Sequence, residues 1–132
     1  MKYMPDTNIC IYIIKKKPIQ VIQALQKKKI GDVCISTITL AELQYGIEKS
    51  VNKVQNQLAL TEFLAPIEVI NFNDKAAKCF GSIRVYLESI GKIIGPFDLQ
   101  IAAHALSENL ILITNNTKEF ERVPDLKIEN WL

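Results

Sequence analysis

Leu-Ile-Leu-Ile-Thr, residues 110–114, is the stretch that decides the fold of this 132-residue chain. Its apolar side chains follow one another without a polar partner between them, which is typical of a strand buried on both faces. The segment before it, Phe97–Asn109, is apolar and rich in alanine, and this composition indicates a helix. A strand buried on both faces needs helices above and below it, so the stretch favours a parallel sheet between helical layers.

The rest of the chain alternates between strands and helices in the same way. Further strands are predicted at Lys2–Asp6, Val33–Ser36, Ile67–Phe72 and Leu126–Ile128. Helices are predicted at Asn8–Lys16, from Pro18, from Ser36 or Thr37 to about Lys49, at Asn52–Leu64, from Asn73 or Asp74 to Gly91, and as one turn at Thr117–Phe120. We therefore expect a single α/β domain over residues 1–132, with three α/β/α layers and a central, mostly parallel sheet of about five strands.

Composition narrows the class of protein. Hydrophobic residues make up 48% of the chain and charged residues 23%, as in soluble globular domains. The longest uncharged stretches, such as Val33–Ala41, are too short for a membrane helix, and Asp6 interrupts any signal-peptide core. We expect a cytoplasmic protein. Cys10, Cys34 and Cys79 have apolar neighbours and no C-x-x-C spacing, which favours buried thiols over a disulfide or zinc site.

The positive charge is concentrated near the start of the chain. Residues 1–30 contain seven lysines and one acid, Asp6, and six of the lysines form the runs Lys15–Lys17 and Lys27–Lys29. Such runs contact polyanions in some proteins and are solvated helix ends in others. The sequence leaves both interpretations open.

Three acids are expected at the same edge of the sheet. Asp6 ends the first strand, and Asp98 opens a helix that runs antiparallel to the strands. Glu42 lies about five residues into the helix after the second strand, only ~8 Å from that edge. Functional sites of parallel sheets lie beyond the carboxyl ends of the strands. A carboxylate cluster there would suit Mg²⁺ or Mn²⁺, whereas helix caps that never meet would give the same pattern.

Other polar residues fall near this edge or away from it. Asn115, Asn116 and Glu119 follow the strand at residues 110–114. His104 comes six residues after Asp98, about 600° around the helix, so a packing role in the core or on the surface is expected.

Four motifs resemble one known family, in the right order along nearly the whole chain. They are M-P-D-T-N-I-C-I-Y at 4–12, I-S-T-I-T-L-A-E-L-Q-Y-G at 35–46, G-P-F-D-L-Q-I-A-A-H-A at 95–105 and I-L-I-T-N-N-T-K-E-F-E-R-V-P-D-L-K-I-E-N-W at 111–131. This sequence resembles the PIN-domain ribonucleases, and in particular the VapC toxins of type II toxin–antitoxin modules.

The resemblance implies a metal-dependent endoribonuclease. Asp6 and Asp98 would bind Mg²⁺ or Mn²⁺, and Glu42 would be a further ligand or orient the attacking water. Thr7 would form a hydrogen bond near Asp6. Many PIN domains carry a fourth acid where this chain has Asn116, which we include among the candidate catalytic residues; the nearest carboxylate is Glu119.

The resemblance also implies partners. The chain would form a homodimer, bind a VapB-type antitoxin, contact operator DNA only through that antitoxin, and not bind a membrane. The substrate would be RNA, with initiator tRNA cut in the anticodon region as the more specific expectation, and the products would carry a 5′-phosphate and a 3′-hydroxyl. The two lysine runs would help to hold the RNA.

Two other functions are kept as alternatives. Pro5 lies in the predicted first strand, where proline removes a backbone donor, and a displaced Asp6 would give a catalytically weakened PIN module that mainly binds its antitoxin. A phosphoacceptor receiver domain shares the alternation of strands and helices. It needs paired acids after the first strand and an acceptor aspartate after the third, where this chain has Asn71-Phe72-Asn73.

Overall fold

A computed structural model describes all 132 residues and contains five short strands and seven α-helices. In chain order these are β1 (Tyr3–Pro5), α1 (Thr7–Lys15), α2 (Ile19–Gln26), β2 (Cys34–Ser36), α3 (Thr37–Glu48), α4 (Lys53–Leu64), β3 (Glu68–Ile70), α5 (Asp74–Ser89), α6 (Pro96–Ser107), β4 (Ile111–Ile113), α7 (Thr117–Phe120) and β5 (Ile128–Glu129). A 3₁₀ turn at Ile30–Asp32 precedes β2. The predicted order of strands and helices is confirmed.

The five strands are all parallel, but they do not form one continuous sheet. β1, β4 and β5 make a three-stranded sheet in the order β1-β4-β5, and β2 pairs with β3 in a second sheet. A single bridge between Tyr3 and Val33 joins the two. The prediction of a parallel sheet is confirmed, whereas the prediction of one sheet of about five strands is wrong.

Pro5 explains where the sheet divides. Backbone N–H groups of successive strand residues point to opposite neighbours, and Asp6 donates its N–H to the Ile113 carbonyl in β4 (2.8 Å). The preceding position therefore faces β2. Proline has no N–H to donate there, so the pairing between β1 and β2 ends after Tyr3.

Side chains of the central strands alternate between two apolar cores. Met4 of β1 and Leu112 of β4 pack on one face, against α5 and α6, while Tyr3 and Ile113 pack on the other, against α1 to α4. This places helices over both faces of the sheet, as the apolar sequence of β4 predicts. The three-layer α/β/α architecture is confirmed.

Side-chain caps define where helices α3 and α5 begin. The Ser36 hydroxyl accepts the Ile38 N–H at the start of α3 (3.1 Å), and the Asn73 side chain accepts the Ala76 N–H at the start of α5 (3.0 Å). Gly91, just after α5, has a φ of 67°, a conformation that glycine adopts without strain. None of the helices combines the length and the apolar character that crossing a membrane requires.

Candidate active site

Asp6 connects β1 to α1 at the carboxyl edge of the sheet. Its side chain is 4% exposed and caps α1 by accepting the Ile9 N–H (3.0 Å). The Thr114 hydroxyl at the end of β4 also forms a hydrogen bond to this carboxylate. Burial raises the pKa of Asp6, the negative charge of Glu42 adds to the rise, and the hydrogen bonds from Thr114, Ile9 and Asn8 oppose it. The caps and hydrogen bonds thus hold a buried carboxylate in place.

Glu42 reaches the same edge from the second turn of α3. It is partly buried, and the hydroxyl of Thr7, the first residue of α1, donates to its carboxylate (2.5 Å). Thr7 follows Asp6 directly in the chain, so this hydrogen bond keeps Glu42 close to Asp6. Thr39 lies on the same side, with its hydroxyl 3.5 Å from that of Thr7.

Asp98 lies in the first turn of α6 and is partly buried. Burial raises the pKa of Asp98 to about 6, and the negative charges of Glu119, Asp6 and Glu42 add to that rise. All three sequence-predicted acids therefore lie within reach of one another's charge. Asp6 also caps α1, so a helix-cap role describes this acid as well.

Asn116 and Glu119 lie beside Asp98. Asn116 is exposed, and its side-chain amide donates to the Glu119 carboxylate. The other oxygen of that carboxylate accepts the N–H of Gly95, the residue before α6 (3.3 Å). Asn116 therefore contacts the acidic site through Glu119.

The four carboxylates have no cationic partner. The salt bridges of the molecule join Lys28 to Glu129, Lys75 to Glu108 and Arg84 to Glu88, and none involves Asp6, Glu42, Asp98 or Glu119. Oxygen donors and unbalanced negative charge are what Mg²⁺ and Mn²⁺ need in a binding site. The donor set therefore fits such an ion.

The present side-chain positions are not those of a closed metal site. No three His, Cys, Asp or Glu side chains face one point closely enough to hold an ion between them. The Glu42 carboxylate accepts a hydrogen bond from Thr7, and the Glu119 carboxylate accepts hydrogen bonds from Asn116 and Gly95. These two carboxylates are therefore directed at donors within the protein. Binding an ion between three of the acids requires at least one side chain to turn.

The lysine runs lie at the opposite edge of the sheet. Lys15 ends α1, about 13 Å along the helix from its start at the acidic edge. The Lys28 ammonium lies 4.7 Å from the ring centre of Tyr3, 5.8 Å from that of Trp131 and 3.7 Å from the Glu129 carboxylate. Lys28 thus packs against the start of β1, and any contact of these runs with RNA would be far from the acids.

His104 lies in the core, in agreement with the prediction that it packs in the core or on the surface. It is fully buried, and its Nδ1 lies 2.8 Å from the Ser36 hydroxyl. The Ser36 hydroxyl therefore forms hydrogen bonds with both the Ile38 N–H and Nδ1, whereas the buried Nε2 has no partner. Burial lowers the pKa of His104, so the ring is neutral and joins α6 to the start of α3.

Sequence reasoning missed the role of Thr114. The signal was present, because a threonine closes an otherwise apolar strand at the edge where the acids gather. No sequence pattern indicated the contact of Gly95 with Glu119, which depends on how α7 packs against α6.

Comparison with known proteins assigns the family. A family model for the PIN domain matches residues 3–126. Ribonuclease VapC2 of Rickettsia felis is 50% identical over 132 residues, covering 99% of this chain and 98% of that protein. The chain belongs to the VapC branch of the PIN-domain family. The predicted family resemblance is confirmed.

Two more comparisons, with a curated protein and with a solved structure, agree with this assignment. The tRNA(fMet)-specific endonuclease VapC of Shigella flexneri is 46% identical over 131 residues, covering 99% of this chain and 98% of that protein. The crystal structure of VapBC2 from Rickettsia felis, bound to a DNA fragment from its promoter, matches with a TM-score of 0.91 and 46% identity. That match covers 100% of both chains, so the PIN fold extends over the whole of this chain.

Proposed function

We propose that this PIN domain is the ribonuclease toxin of a toxin–antitoxin pair and that it needs Mg²⁺ or Mn²⁺. The observation that carries the proposal is the group of carboxylates at the carboxyl edge of the sheet, which has no lysine or arginine to balance it. Repulsion between these carboxylates does not stabilise the fold. A site that binds a divalent cation, however, needs their negative charge.

Each acid has a defined part in this proposal. Asp6, Glu42 and Asp98 would hold the ion, which when bound supplies an activated water and stabilises charge on a phosphoryl group. Thr7 orients Glu42, and Thr114 together with the α1 cap orients Asp6. With a pKa of about 6, Asp98 is mostly ionised at neutral pH and is available as a ligand. Attack of that water on phosphorus, with departure of the 3′-oxygen, would leave a 5′-phosphate and a 3′-hydroxyl.

The proposed substrate is tRNA, and initiator tRNA in its anticodon region in particular. Two relatives support this, the tRNA(fMet)-specific endonucleases of Shigella flexneri and Salmonella typhimurium, at 46% and 43% identity. Both align over almost their full length.

The proposed partners are a VapB-type antitoxin, a second copy of the chain and, through the antitoxin, operator DNA. Two solved VapBC structures support this assembly: this chain matches one that is bound to a promoter DNA fragment with a TM-score of 0.91, and one that is bound to DNA with a TM-score of 0.94. Exposed apolar side chains on α4 and α5 would supply contact surface: Val54, Leu58, Val85 and Tyr86.

The structure does not favour the catalytically weakened module. Pro5 is the last residue of β1 and pairs in register with Ile113. Asp6 still donates its N–H to β4 and caps α1, so proline has not displaced it.

Cleavage of purified tRNA tests the proposed function. The chain, freed of antitoxin, is incubated with initiator tRNA and with the elongator methionine tRNA as the matched control, in Mg²⁺ and in EDTA. We expect cleavage of the initiator tRNA in Mg²⁺ only. Cleavage that persists in EDTA would contradict the metal dependence, and equal cutting of both tRNAs would contradict the proposed specificity.

A further inference from the structure

We propose that Tyr45 is a stacking platform for an RNA base next to the acidic site, and that Lys49 binds a phosphate of the same strand. The inference rests on the proposed function, because it takes RNA as the substrate. It adds a contact for that substrate on α3, outside the group of acids.

The first argument is the exposure of the Tyr45 ring. Tyr45 is 65% exposed, whereas the aromatic residues that pack in the two cores, such as Phe120 and Trp131, are buried. Tyr45 also forms no pair with another aromatic ring. The ring therefore contributes little to the core and presents an apolar face at the surface of the molecule.

The second argument is the position of Tyr45 relative to Glu42. The two residues are three positions apart on α3, which places their side chains about 60° apart around the helix and roughly 4.5 Å apart along it. Side chains of helices lean towards the N-terminus, so the Tyr45 ring leans towards the turn that carries Glu42. Ala41, four positions before Tyr45, is exposed and too small to cover the ring. A base stacked on this ring would belong to a nucleotide close to the acids.

The third argument is the charge beside the ring. Lys49 is exposed, and its ammonium lies over the Tyr45 ring, 4.9 Å from the ring centre. None of the three salt bridges of the molecule involves Lys49. Proteins bind single-stranded nucleic acids with aromatic rings that stack on bases and cations that contact the phosphates. With the cation over one face of the ring, a base can stack on the other.

An RNA strand fits this flank of α3 better than a protein does. Glu42, Tyr45 and Lys49 follow one another over about 10 Å along the helix. This distance corresponds to roughly three stacked nucleotides. The buried centre of a protein interface is poor in charged residues, whereas the neighbours of Tyr45 on this flank include an acid and a cation. We therefore place a single strand of RNA along these three residues.

Fluorescence of 2-aminopurine tests the stacking, because the emission of this base falls when it stacks. Short single-stranded RNAs, each with one 2-aminopurine at a different position, are titrated in EDTA so that binding is measured without metal-dependent cleavage. Tyr45→Leu removes the ring and Tyr45→Phe keeps it. We expect the affinity to fall about tenfold for Tyr45→Leu, with loss of the fluorescence change, and to stay at the parent level for Tyr45→Phe. Ile90→Ala, which removes an exposed apolar side chain just after α5, is the control and should bind RNA as the parent does.

Salt dependence tests the phosphate contact of Lys49. Each contact between a cation and a phosphate of a single strand contributes about 0.7 to the slope of log affinity against log salt concentration. We expect Lys49→Gln to reduce that slope by about this amount. Lys127→Gln is the matched control, because Lys127 is exposed, precedes β5 and contacts Asn109 away from the acids. An unchanged slope for Lys49→Gln, or an equal change for both variants, would overturn the phosphate contact.

Light scattering separates an RNA contact from a protein contact. We expect the same mass in solution for Tyr45→Leu and for the parent. A lower mass for the variant, with RNA affinity at the parent level, would assign Tyr45 to an interface between two copies of the chain and overturn the inference.

RNA binding and RNA cleavage are measured separately, so the inference and the proposed function can fail independently. A parent that cleaves tRNA, together with a Tyr45→Leu variant that binds RNA as the parent does, overturns the inference and leaves the ribonuclease proposal standing. A parent whose RNA binding depends on Tyr45 but which cleaves no RNA supports the inference and contradicts the ribonuclease proposal. A parent that binds no RNA overturns the inference.

Discussion

Replacing Asp98 by asparagine removes one negative charge from the acidic site and keeps the shape of the side chain. We expect Asp98→Asn to abolish RNA cleavage and growth arrest and, at the same time, to stabilise the metal-free protein at pH 7.5. Both effects have one cause, because the charge that would bind the ion is costly to bury and is also repelled by Glu119, Asp6 and Glu42.

The size of the stabilisation follows from the raised pKa. A change from 3.8 to about 6 corresponds to an upper limit of about 3 kcal/mol in the free energy of unfolding. Asp98 is only partly buried, and solvent screening reduces this to about 1.5 kcal/mol. Loss of a favourable charge in the first turn of α6 takes back about 0.5 kcal/mol. The net gain is about 1 kcal/mol, or about 4 °C in the midpoint for a domain of this size.

The sign of the pH dependence checks the same reasoning. The folded protein holds the Asp98 proton more tightly than the unfolded chain does, so ionisation of Asp98 destabilises the fold as pH rises from about 4 through 6. The midpoint of the variant should therefore exceed that of the parent at pH 7.5, and the difference should disappear below pH 4.

Thermal unfolding in EDTA across this range is the assay. Asp74→Asn is the matched control, because Asp74 opens α5 at an exposed position outside the site. A midpoint for Asp98→Asn equal to or below that of the parent at pH 7.5 would refute the proposed cost of burying this charge beside the other acids. Undiminished cleavage would refute a catalytic role for Asp98.

Three further substitutions probe the surroundings of the acids. Pro5→Leu gives β1 a donor towards β2, so we expect a gain of about 1 kcal/mol in chemical denaturation, with unchanged cleavage because Asp6 is already anchored. Thr7→Val removes the hydrogen bond to Glu42; cleavage should fall roughly tenfold while circular dichroism stays unchanged, and full activity would show that Glu42 needs no orientation. Thr114→Val removes a hydrogen bond that lowers the pKa of Asp6, so the acid limb of the pH–rate profile should move to higher pH, and an unmoved limb would contradict that contact.

The fold could be predicted from local patterns because the central strands are strongly apolar. The run at 110–114 requires cover on both faces, and the alternation of strand and helix along the chain supplies it. The division of the sheet was not predicted. Pro5 was recognised as a missing donor, but which neighbouring strand lost the hydrogen bond depends on the direction of a single backbone N–H, which no sequence pattern specifies.

The candidate site was predicted as far as topology alone determines it. Asp6 and Asp98 are fixed by the ends of a strand and a helix, and Glu42 by its distance along α3. The position of the lysine runs could not be predicted, because charge composition does not specify which edge of the sheet they occupy. The contact of Glu119 with Gly95 joins residues 24 positions apart, and it depends on packing rather than on spacing.

The strand order has a consequence for how the site comes into existence during folding. β1 comes earliest of the five strands, yet its partner β4 begins more than 100 residues later. Contacts of such long sequence separation raise the relative contact order and slow folding, because a long loop must close before they form. Asp6 and Asp98 come close together only after that loop has closed. A nascent chain in which α6 has not yet been synthesised therefore contains no assembled acidic site.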